Sequence, residues 1–423
     1  MIVGIDFGTS ATKVIWQDLS DNHFEVFKWN NSGVVLDSLL LPSTITFRDG
    51  LVYFGIPESE VLQGDVWLTS IKLCVLCSRK SSICRCKNVG ADAGVIRNQS
   101  DGSAWPARAL ASLFLGNVMR EVENRLLTRY ASDELVIIWN IGCPMDHLDI
   151  EDRRVEWEKM AAVAMALRTH ILNPVSRGLV DEAVDLLEGI SVAPQEERNF
   201  FVQPEGLAAI KAFLESPHAE AKTYAIVDVG AGTTEVSFFF NGHIMTERDL
   251  PLRASYLADS TEAVGGRKID IELADELKCS VEEARRRKEC EPLGFPNLPT
   301  IGEISMQYRR TCGRVVQSRK LVATSDKLFD LFIIGGGGRL EVLRHQLRTR
   351  ELPGSFVLQR LRHLSPPRSL KDRESVESDF DFLANACGLA SSLDWQYYPP
   401  KDISSLDTPL VKPRFEAEEL YPK

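Results

Sequence analysis

The sequence predicts an α/β protein built from two similar halves, and three glycine-rich elements carry this prediction. Two of them, IVGIDFGTSATKVIW from Ile2 and YAIVDVGAGTTEVSFFF from Tyr224, indicate strand, tight turn and strand, because β-branched and aromatic residues flank each turn. The third, LFDLFIIGGGGRLEVLRHQL from Leu328, indicates an apolar strand, a glycine run and a helix with leucines on one face. The repeated hairpin suggests duplicated halves that face each other.

Composition and charge exclude several classes of protein. The chain has 423 residues, of which 44% are hydrophobic and 26% charged, so it is long enough for more than one core. A net charge of -11 argues against a general nucleic-acid or anionic-membrane binder. No apolar run approaches the ~20 residues of a membrane span, and MIVGIDFG lacks the regions of a secretory signal. We therefore expect a cytoplasmic location, with no general nucleic-acid binding and no membrane binding.

The two hairpin turns have the chemistry of a phosphate clamp. Backbone N–H groups that no side chain covers can converge on phosphate oxygens, and nearby hydroxyl groups add donors. Asp6 and Asp228, which end the strand before each turn, can hold magnesium through water, because that ion takes oxygen ligands and keeps much of its hydration shell. The alternative is that both carboxylates only cap their turns.

In this order the three elements resemble those of the superfamily of actin, sugar kinases and seventy-kilodalton heat-shock proteins. GIDFGTSATKV is similar to its first phosphate motif, DVGAGTTEV to its second and IIGGGGR to its adenosine motif. Four further segments resemble connecting segments of the family: LVIIWNIGCPMD, QPEGLAAIKAF, AVGGRKIDIELADEL and FDFLANACGLASSL. The resemblance therefore covers about residues 1–395. It implies two ribonuclease-H-like halves, the actin-like ATPase fold, with ATP and magnesium in the cleft between them.

The resemblance also implies a domain organisation. The first half spans 1–203, with an inserted subdomain at about 50–134 and an insertion at about 172–200. The second half spans 204–395, with a short nucleotide-covering subdomain at about 267–327. Residues 396–423 form a proline-rich tail, which we expect to be an extended segment that docks on this chain or on a partner.

The matched motifs imply site residues, some of which have an ordinary structural alternative. Lys13 and Lys72 could be solvated or snorkelling lysines, and Arg339 an ordinary helix arginine instead of a residue stacked on adenine. A second purine-stacking residue should come from ISMQYRRTCGRVVQSRKL. The expected catalytic residues are Asp6, Lys72, Gln203 and Asp228. The expected ATP-binding residues are Gly8, Thr9, Ser10, Lys13, Gly230, Gly232, Thr233, Thr234, Gly265, Gly266, Gly335, Gly336, Gly337 and Arg339.

Departures from the family pattern affect the expected rate. Ala231 stands where the second phosphate turn usually has its middle glycine. Gln203 occupies the place where the chaperones have glutamate and actins have glutamine. Because a glutamine can orient an attacking water but cannot deprotonate it, we expect slow hydrolysis.

A cysteine cluster lies outside the resemblance. Cys74, Cys77, Cys84 and Cys86 fall within CVLCSRKSSICRC, and four thiolates can wrap a tetrahedral zinc ion. The alternative is a loop of unliganded cysteines, since the C-x-C spacing strains a single site.

Three functions are compatible with this sequence. Two segments resemble segments of the chaperones: DVWLTSIKLCVL and the helix of SAWPARALASLFLGNVMREVENRLLTRY. This resemblance favours a chaperone-like ATPase switch without a peptide-binding domain. A protein partner would sense the nucleotide state of such a switch. The sequence of the second phosphate motif, DVGAGTTEV, is equally close to that of bacterial actin-like proteins. The alternative is therefore an actin-like protein that self-associates into filaments. A small-molecule kinase is a third interpretation, and it lacks a recognisable substrate aspartate.

Overall fold

The protein is built around two sheets that share one strand pattern. In the computed structural model, the described residues are 1–29, 38–76, 89–92, 95–98, 104–130, 135–144, 151–220, 223–241, 254–262, 264–290, 298–317, 328–348 and 358–393. The strands of these two sheets are β1 (Ile2–Phe7), β2 (Ala11–Asp18), β3 (His23–Val26), β4 (Leu41–Pro42), β11 (Ile138–Cys143), β13 (Phe200–Pro204), β14 (Thr223–Val229), β15 (Thr234–Asn241), β16 (Ala254–Glu262), β17 (Leu328–Ile334) and β18 (Leu358–Arg362).

The two strand orders are equivalent. The first sheet runs β13-β11-β1-β2-β3, with β4 beside β2, and the second runs β16-β15-β14-β17-β18. In each, a hairpin and a third strand are antiparallel, and two further strands add in parallel on the other side. The predicted α/β class with two similar halves is confirmed.

Helices surround these sheets, and two of them hold the halves together. The helices are α1 (Ile71–Leu76), α2 (Ala107–Tyr130), α3 (Glu151–Leu167), α4 (Arg177–Gly189), α5 (Glu205–Glu215), α6 (Gly266–Leu277), α7 (Val281–Cys290), α8 (Pro299–Gln317), α9 (Glu341–Arg348), α10 (Arg373–Val376) and α11 (Phe380–Ala390). An apolar cluster of α5, α11, β2, β14 and β17 residues joins the two sheets.

Close backbone approach fixes the position of α11. A Cβ atom on Gly388 would lie 1.7 Å from the carbonyl oxygen of Ala208, so α11 crosses α5 only because this residue is glycine. Gly4 of β1 likewise faces the carbonyl oxygen of Ala386, with a Cβ distance of 2.3 Å. The helix therefore rests on α5 and β1, and its first turn lies beside the glycine run that follows β17, where Gly335 N–H donates to the Asp381 carbonyl oxygen.

Two smaller sheets lie in the first half. They contain β5 (Thr44–Arg48), β6 (Leu51–Phe54), β7 (Val66–Thr69), β8 (Val89–Asp92), β9 (Val95–Asn98), β10 (Ala104–Pro106) and β12 (Val175–Ser176). One has the order β12-β6-β5-β7 and the other β10-β9-β8. Within the insertion expected at about 172–200 lie β12 and α4. The domain boundaries stay a prediction, and the tail at 396–423 lies outside the described residues.

Within the described ranges, no helix is long and apolar enough to cross a bilayer. The predicted cytoplasmic location stays a prediction.

Candidate functional site

A cavity of about 90 Å³ lies where the two hairpin turns and the glycine run meet. Residues of both halves line it, including carboxylates, lysines and backbone of all three glycine-rich elements. The predicted meeting of these elements at one site is thus observed.

The first turn follows β1 directly. Gly8 N–H donates to the Asp6 carbonyl oxygen at 2.9 Å, and a Cβ atom on Gly8 would come within 2.3 Å of the Ala11 carbonyl oxygen. This tight turn exposes its backbone to the cavity because no side chain fits there. Asp6 is buried and accepts a hydrogen bond from Lys13 Nζ at 2.9 Å. The two residues lie opposite each other in the β1–β2 hairpin.

The second turn repeats this geometry with a different partner. Asp228 lies opposite Glu235 in the β14–β15 hairpin, as Asp6 lies opposite Lys13. Asn385 Nδ2 donates to Asp228 Oδ2 at 2.6 Å. Burial raises the pKa of Asp228, and the hydrogen bond from Asn385 opposes that rise.

The glycine run after β17 closes the site against the second turn. Gly335 has φ of 78°, and a Cβ atom on it would lie 2.4 Å from Asp228 Oδ1. Only glycine therefore lets this backbone pass the carboxylate. The next residues, Gly336–Arg339, form a short 3-10 helix.

A buried ion pair joins two segments at the cavity that are far apart in the sequence. Lys72 Nζ of α1 donates to Glu205 Oε1, at the first residue of α5. Burial raises the pKa of Glu205 to about 7, and the charge of Lys72 opposes this rise. Burial acts to lower the pKa of Lys72, but the charges of Glu205 and Asp6 outweigh it, so that this pKa is raised.

Helix α6 contributes the opposite wall and a contact between the halves. Gly266 N–H donates to the Gly230 carbonyl oxygen at 2.8 Å, which attaches the helix start to the second turn. Arg267 is buried and donates to Thr69 Oγ1 at 2.9 Å and to Ser70 Oγ, both in the first half. The positions of the two halves at the cavity are therefore linked through one guanidinium group.

A second buried ion pair completes that wall. Lys288 of α7 pairs with Asp270 of α6, and its ammonium group also donates to the Gly266 carbonyl oxygen at 3.3 Å. Both side chains line the cavity.

Most of the residues expected from the sequence lie together at this cavity. They are Asp6, Gly8, Thr9, Ser10, Lys13, Lys72, Asp228, Gly230, Thr233, Gly266, Gly335, Gly336 and Gly337. Their roles in binding or catalysis stay a prediction.

Three expected nucleotide-binding residues, Gly232, Thr234 and Gly265, are not among the residues that line the cavity. Thr234 is buried and its hydroxyl donates to the Val264 carbonyl oxygen at 2.6 Å. A Cβ atom on Gly232 would meet Leu73 and Thr9 at 2.9 Å, and one on Gly265 would lie 2.6 Å from the Gly230 carbonyl oxygen. Neither glycine is among the residues that line the cavity.

The structure does not bring Gln203 to the cavity. Gln203 lies in β13, and its Oε1 accepts a hydrogen bond from Lys211 Nζ at 3.3 Å. β13 ends at Pro204, and the next residue, Glu205, begins α5 and lines the cavity. Glu205 is therefore the residue of this segment that lines the cavity, and the catalytic role expected of Gln203 stays a prediction.

Arg339 also lies away from the cavity lining. Its guanidinium group donates to the Ser378 carbonyl oxygen at 2.7 Å and pairs with Asp379. It stacks over the ring of Phe382 at 4.5 Å, and Phe382 itself lines the cavity. Arg339 thus contacts a ring that faces the cavity, and its expected contact with adenine stays a prediction.

Several cavity residues were not found by sequence reasoning. Residues 304–317 of the expected second purine-stacking segment lie in α8, and its remaining residues lie outside the described ranges. The basic residues that line the cavity are Lys13, Lys72, Arg267 of α6, and Arg285 and Lys288 of α7. One usable signal was present, because RRRK in α7 is the most basic run near the glycine motifs. The other lining residues with polar or aromatic side chains that the sequence reasoning missed are Glu205, Glu235, Asp270, Asp381, Phe382 and Asn385.

The zinc prediction falls mostly outside the described residues. Cys77, Cys84 and Cys86 lie there, whereas Cys74 is buried in α1. In the part of the chain that the structure describes, no group of three or more His, Cys, Asp or Glu side chains could hold a metal ion. Zinc binding stays a prediction, which elemental analysis of protein purified without chelator can test.

Magnesium and a nucleoside triphosphate fit the residues present. Two glycine turns leave uncovered backbone where a side chain would collide, and the carboxylates of Asp6 and Asp228 both face the cavity. Asn385 Oδ1 is a buried acceptor with no hydrogen-bond partner among the described residues, which suits a metal-bound water. Carboxylate and amide oxygens are the ligand types that magnesium prefers.

The chain is similar in sequence to a bacterial cell division protein. It is 22% identical over 364 residues to the Cell division protein FtsA of Bacillus subtilis (strain 168), covering 85% of this chain and 72% of that protein. No family model matches the chain. The expected closeness to the heat-shock chaperones is not confirmed.

The duplicated sheet topology, the cavity between the hairpin turns and this similarity agree with one another. The similarity implies a two-domain fold of the actin type, which the equivalent strand orders of the two halves match. This chain has the two-half fold of the actin-like ATPases.

Proposed function

We propose that this chain binds and hydrolyses ATP and assembles with copies of itself and with protein partners in cell division. The similarity to the Cell division protein FtsA over 85% of the chain carries this proposal. It favours the filament-forming alternative of the sequence analysis over the chaperone-like switch.

The electrostatics of the cavity support a triphosphate as its ligand. The backbone of Gly8 and Gly230 and the hydroxyl groups of Thr9 and Thr233 offer donors from both halves, as phosphate binding requires. Lys13 adds a positive charge at the first turn, where it also pairs with Asp6. The turns would close on the phosphates from two sides, so that ligand binding and closure of the halves are coupled.

The carboxylates support a role for magnesium. Asp6 and Asp228 would hold the hydrated ion from opposite halves, with Asn385 fixing the orientation of Asp228 by its 2.6 Å hydrogen bond. When bound, magnesium neutralises phosphate charge and orients the reacting oxygens.

Glu205 is the group best suited to accept a proton from water. Its side chain is buried, lines the cavity and has a pKa raised to about 7 by burial, which lies near the value that general-base catalysis favours at neutral pH. Lys72 holds the carboxylate in place through the ion pair. This assignment replaces the slow, glutamine-based hydrolysis expected from Gln203.

The contact of Arg267 with Thr69 and Ser70 supports a link between nucleotide state and assembly. It crosses from the second half to the first beside the cavity, so opening of the halves would break it. Assembly of copies through surfaces of both halves would then depend on closure.

Sedimentation tests this proposal directly. With ATP and magnesium, the wild-type protein should pellet in a concentration-dependent way, and it should stay in the supernatant without nucleotide. Glu205→Gln should pellet with ATP and disassemble more slowly, because ATP would persist. The proposed ATP-dependent assembly would be contradicted if the protein binds ATP but sediments equally with and without ATP at every protein concentration.

A further inference from the structure

One face of α11 carries two buried polar side chains into the cavity. Asp381 and Asn385 are four residues apart, so they lie on the same side of the helix. Their exposed fractions are 3% and 8%, and both line the cavity. Neither was expected from the sequence.

Each side chain has one partnered and one unpartnered end. Asn385 donates from Nδ2 to Asp228, whereas its Oδ1 has no hydrogen-bond partner among the described residues. Asp381 Oδ2 lies 3.3 Å from both Arg344 and His363, whereas Asp381 Oδ1 is buried without a partner in the same part of the chain. Because a buried acceptor without a donor is costly, these oxygens are suited to donors of a ligand.

Two side chains that are not among the residues lining the cavity contact the other oxygen of Asp381. Arg344 of α9 and His363, just after β18, both contact Oδ2, so the carboxylate plane is fixed from the far side. Gly335 N–H also donates to the Asp381 carbonyl oxygen at 2.9 Å. The position of Oδ1 is therefore set before any ligand binds, which favours selective recognition.

The helix direction indicates which part of a nucleotide Asp381 meets. Asn385 marks the phosphate end, because it contacts Asp228 at the second turn. Four residues along a helix correspond to about 6 Å, and the step from Asn385 to Asp381 leads towards the glycine run and the Phe382 ring. In a nucleotide the sugar follows the phosphates at about this distance, and its hydroxyl groups are the nearest donors.

We propose that Asp381 Oδ1 accepts a hydrogen bond from a ribose hydroxyl group of the bound nucleotide, so that the site selects ribonucleotides over deoxyribonucleotides. This inference rests on the proposed nucleotide binding. Pairing of a carboxylate with a ribose hydroxyl is a known mode of sugar recognition in other nucleotide folds. Loss of the hydroxyl would leave a buried carboxylate oxygen unpaired, which disfavours the deoxy analogue.

Binding titrations with four nucleotides test the inference in the full chain with magnesium present. The probes are ATP, 2′-deoxy-ATP, 3′-deoxy-ATP and inosine triphosphate. Wild-type protein should bind ATP about tenfold or more tightly than at least one of the deoxy analogues. In Asp381→Ala that ratio should fall to about one, since no carboxylate remains to be left unpaired. Asp381→Asn keeps the shape of the side chain and should reduce the ratio without unfolding the site.

A nearby acid serves as the matched control. Glu377 lies four residues before Asp381, and its side chain is 48% exposed, so Glu377→Gln should keep the wild-type ratio. Equal wild-type affinity for ATP and both deoxy analogues would overturn the inference while leaving ATP binding intact. An ATP-to-deoxy-ATP affinity ratio that persists in Asp381→Ala would also overturn the inference. So would an Asp381→Ala protein that loses only its discrimination against inosine triphosphate, because Asp381 would then contact the adenine amino group. Absence of any ATP binding would overturn the proposed function itself.

Discussion

Lys72 and Glu205 form a buried ion pair between two segments that are far apart in the sequence. The side chains of the lysine and the glutamate are only 4% and 7% exposed. The pair connects α1, which follows the small sheet of the first half, with α5, which packs between the two sheets. It therefore couples the inserted part of the first half to the centre of the molecule.

Removal of one partner should destabilise the protein strongly. Lys72→Met leaves the Glu205 carboxylate buried without its cation, so we expect a loss of about 3–5 kcal/mol in the free energy of unfolding. Adding Glu205→Gln should restore part of that loss, and urea unfolding measures both. The exposed pair of Arg154 and Glu151 is the control, since Arg154→Gln should cost at most ~1 kcal/mol. Equal losses for the buried and exposed pairs would contradict the account.

Glu205 should matter for turnover far more than for binding. Glu205→Gln removes the proton acceptor but keeps the size of the side chain, so phosphate release from ATP should fall by about 100-fold or more. ATP affinity should stay within a few-fold, because the turns are unchanged. Glu215→Gln, at the other end of the same helix, should have wild-type turnover.

Gln203 provides a complementary test of the same assignment. Because Gln203 contacts Lys211 and does not line the cavity, Gln203→Glu should leave the turnover rate unchanged. Faster hydrolysis in this variant would instead support the position that the sequence pattern assigns to Gln203.

Phe382 should contribute more to nucleotide affinity than Arg339. Its ring faces the cavity, and the guanidinium group of Arg339 lies on the ring at 4.5 Å. Phe382→Ala should weaken ATP binding by about tenfold through loss of the aromatic contact. Arg339→Ala should have a smaller effect, because the ring stays in place. A larger loss of affinity in Arg339→Ala would restore the direct contact with adenine that the sequence indicates.

The pairing of His363 with Asp381 should make stability depend on pH. The hydrogen bond to Asp381 raises the pKa of His363 above 6.5, against the effect of burial. Its stabilising contribution is therefore complete below pH 6.5 and is lost as the pH rises through the raised folded-state pKa. Because the His363 side chain is exposed to solvent, which screens the pairing, we expect His363→Gln to cost at most ~1 kcal/mol at pH 6 and less at pH 9.

Urea unfolding of wild-type protein and His363→Gln at the two pH values measures this difference. The exposed His170 is the control residue, and His170→Gln should match wild type at both pH values. A cost of His363→Gln that grows towards pH 9 would contradict this direction of the pH dependence.

The sequence predicted the parts of the site that are local. Asp6, Gly8 and Lys13 belong to one hairpin, and strand, turn and strand follow one another in the chain, so a short stretch determines their geometry. The same holds for Asp228 and Gly230. The fold class followed from the repetition of this hairpin.

The remainder of the site depends on packing between distant segments. Asn385 reaches Asp228 only because glycines let α11 approach α5 and β1 closely, and no periodicity in the sequence shows that approach. Glu205 was missed because β13 ends one residue before it, so the change from strand to helix decides which side chain faces the cavity. The contacts of Arg339 with nearby acceptors and the Phe382 ring could likewise not be read from the sequence.

The central claim is that ATP and magnesium bind between the two hairpin turns. Titration of ATP into wild-type protein and Asp228→Ala, followed by phosphate release from the same samples, tests it most directly. We predict magnesium-dependent binding by wild type, and binding within a few-fold but turnover lower by about 100-fold or more in Asp228→Ala. A wild-type protein that binds no ATP, or an Asp228→Ala protein with wild-type turnover, would contradict the account.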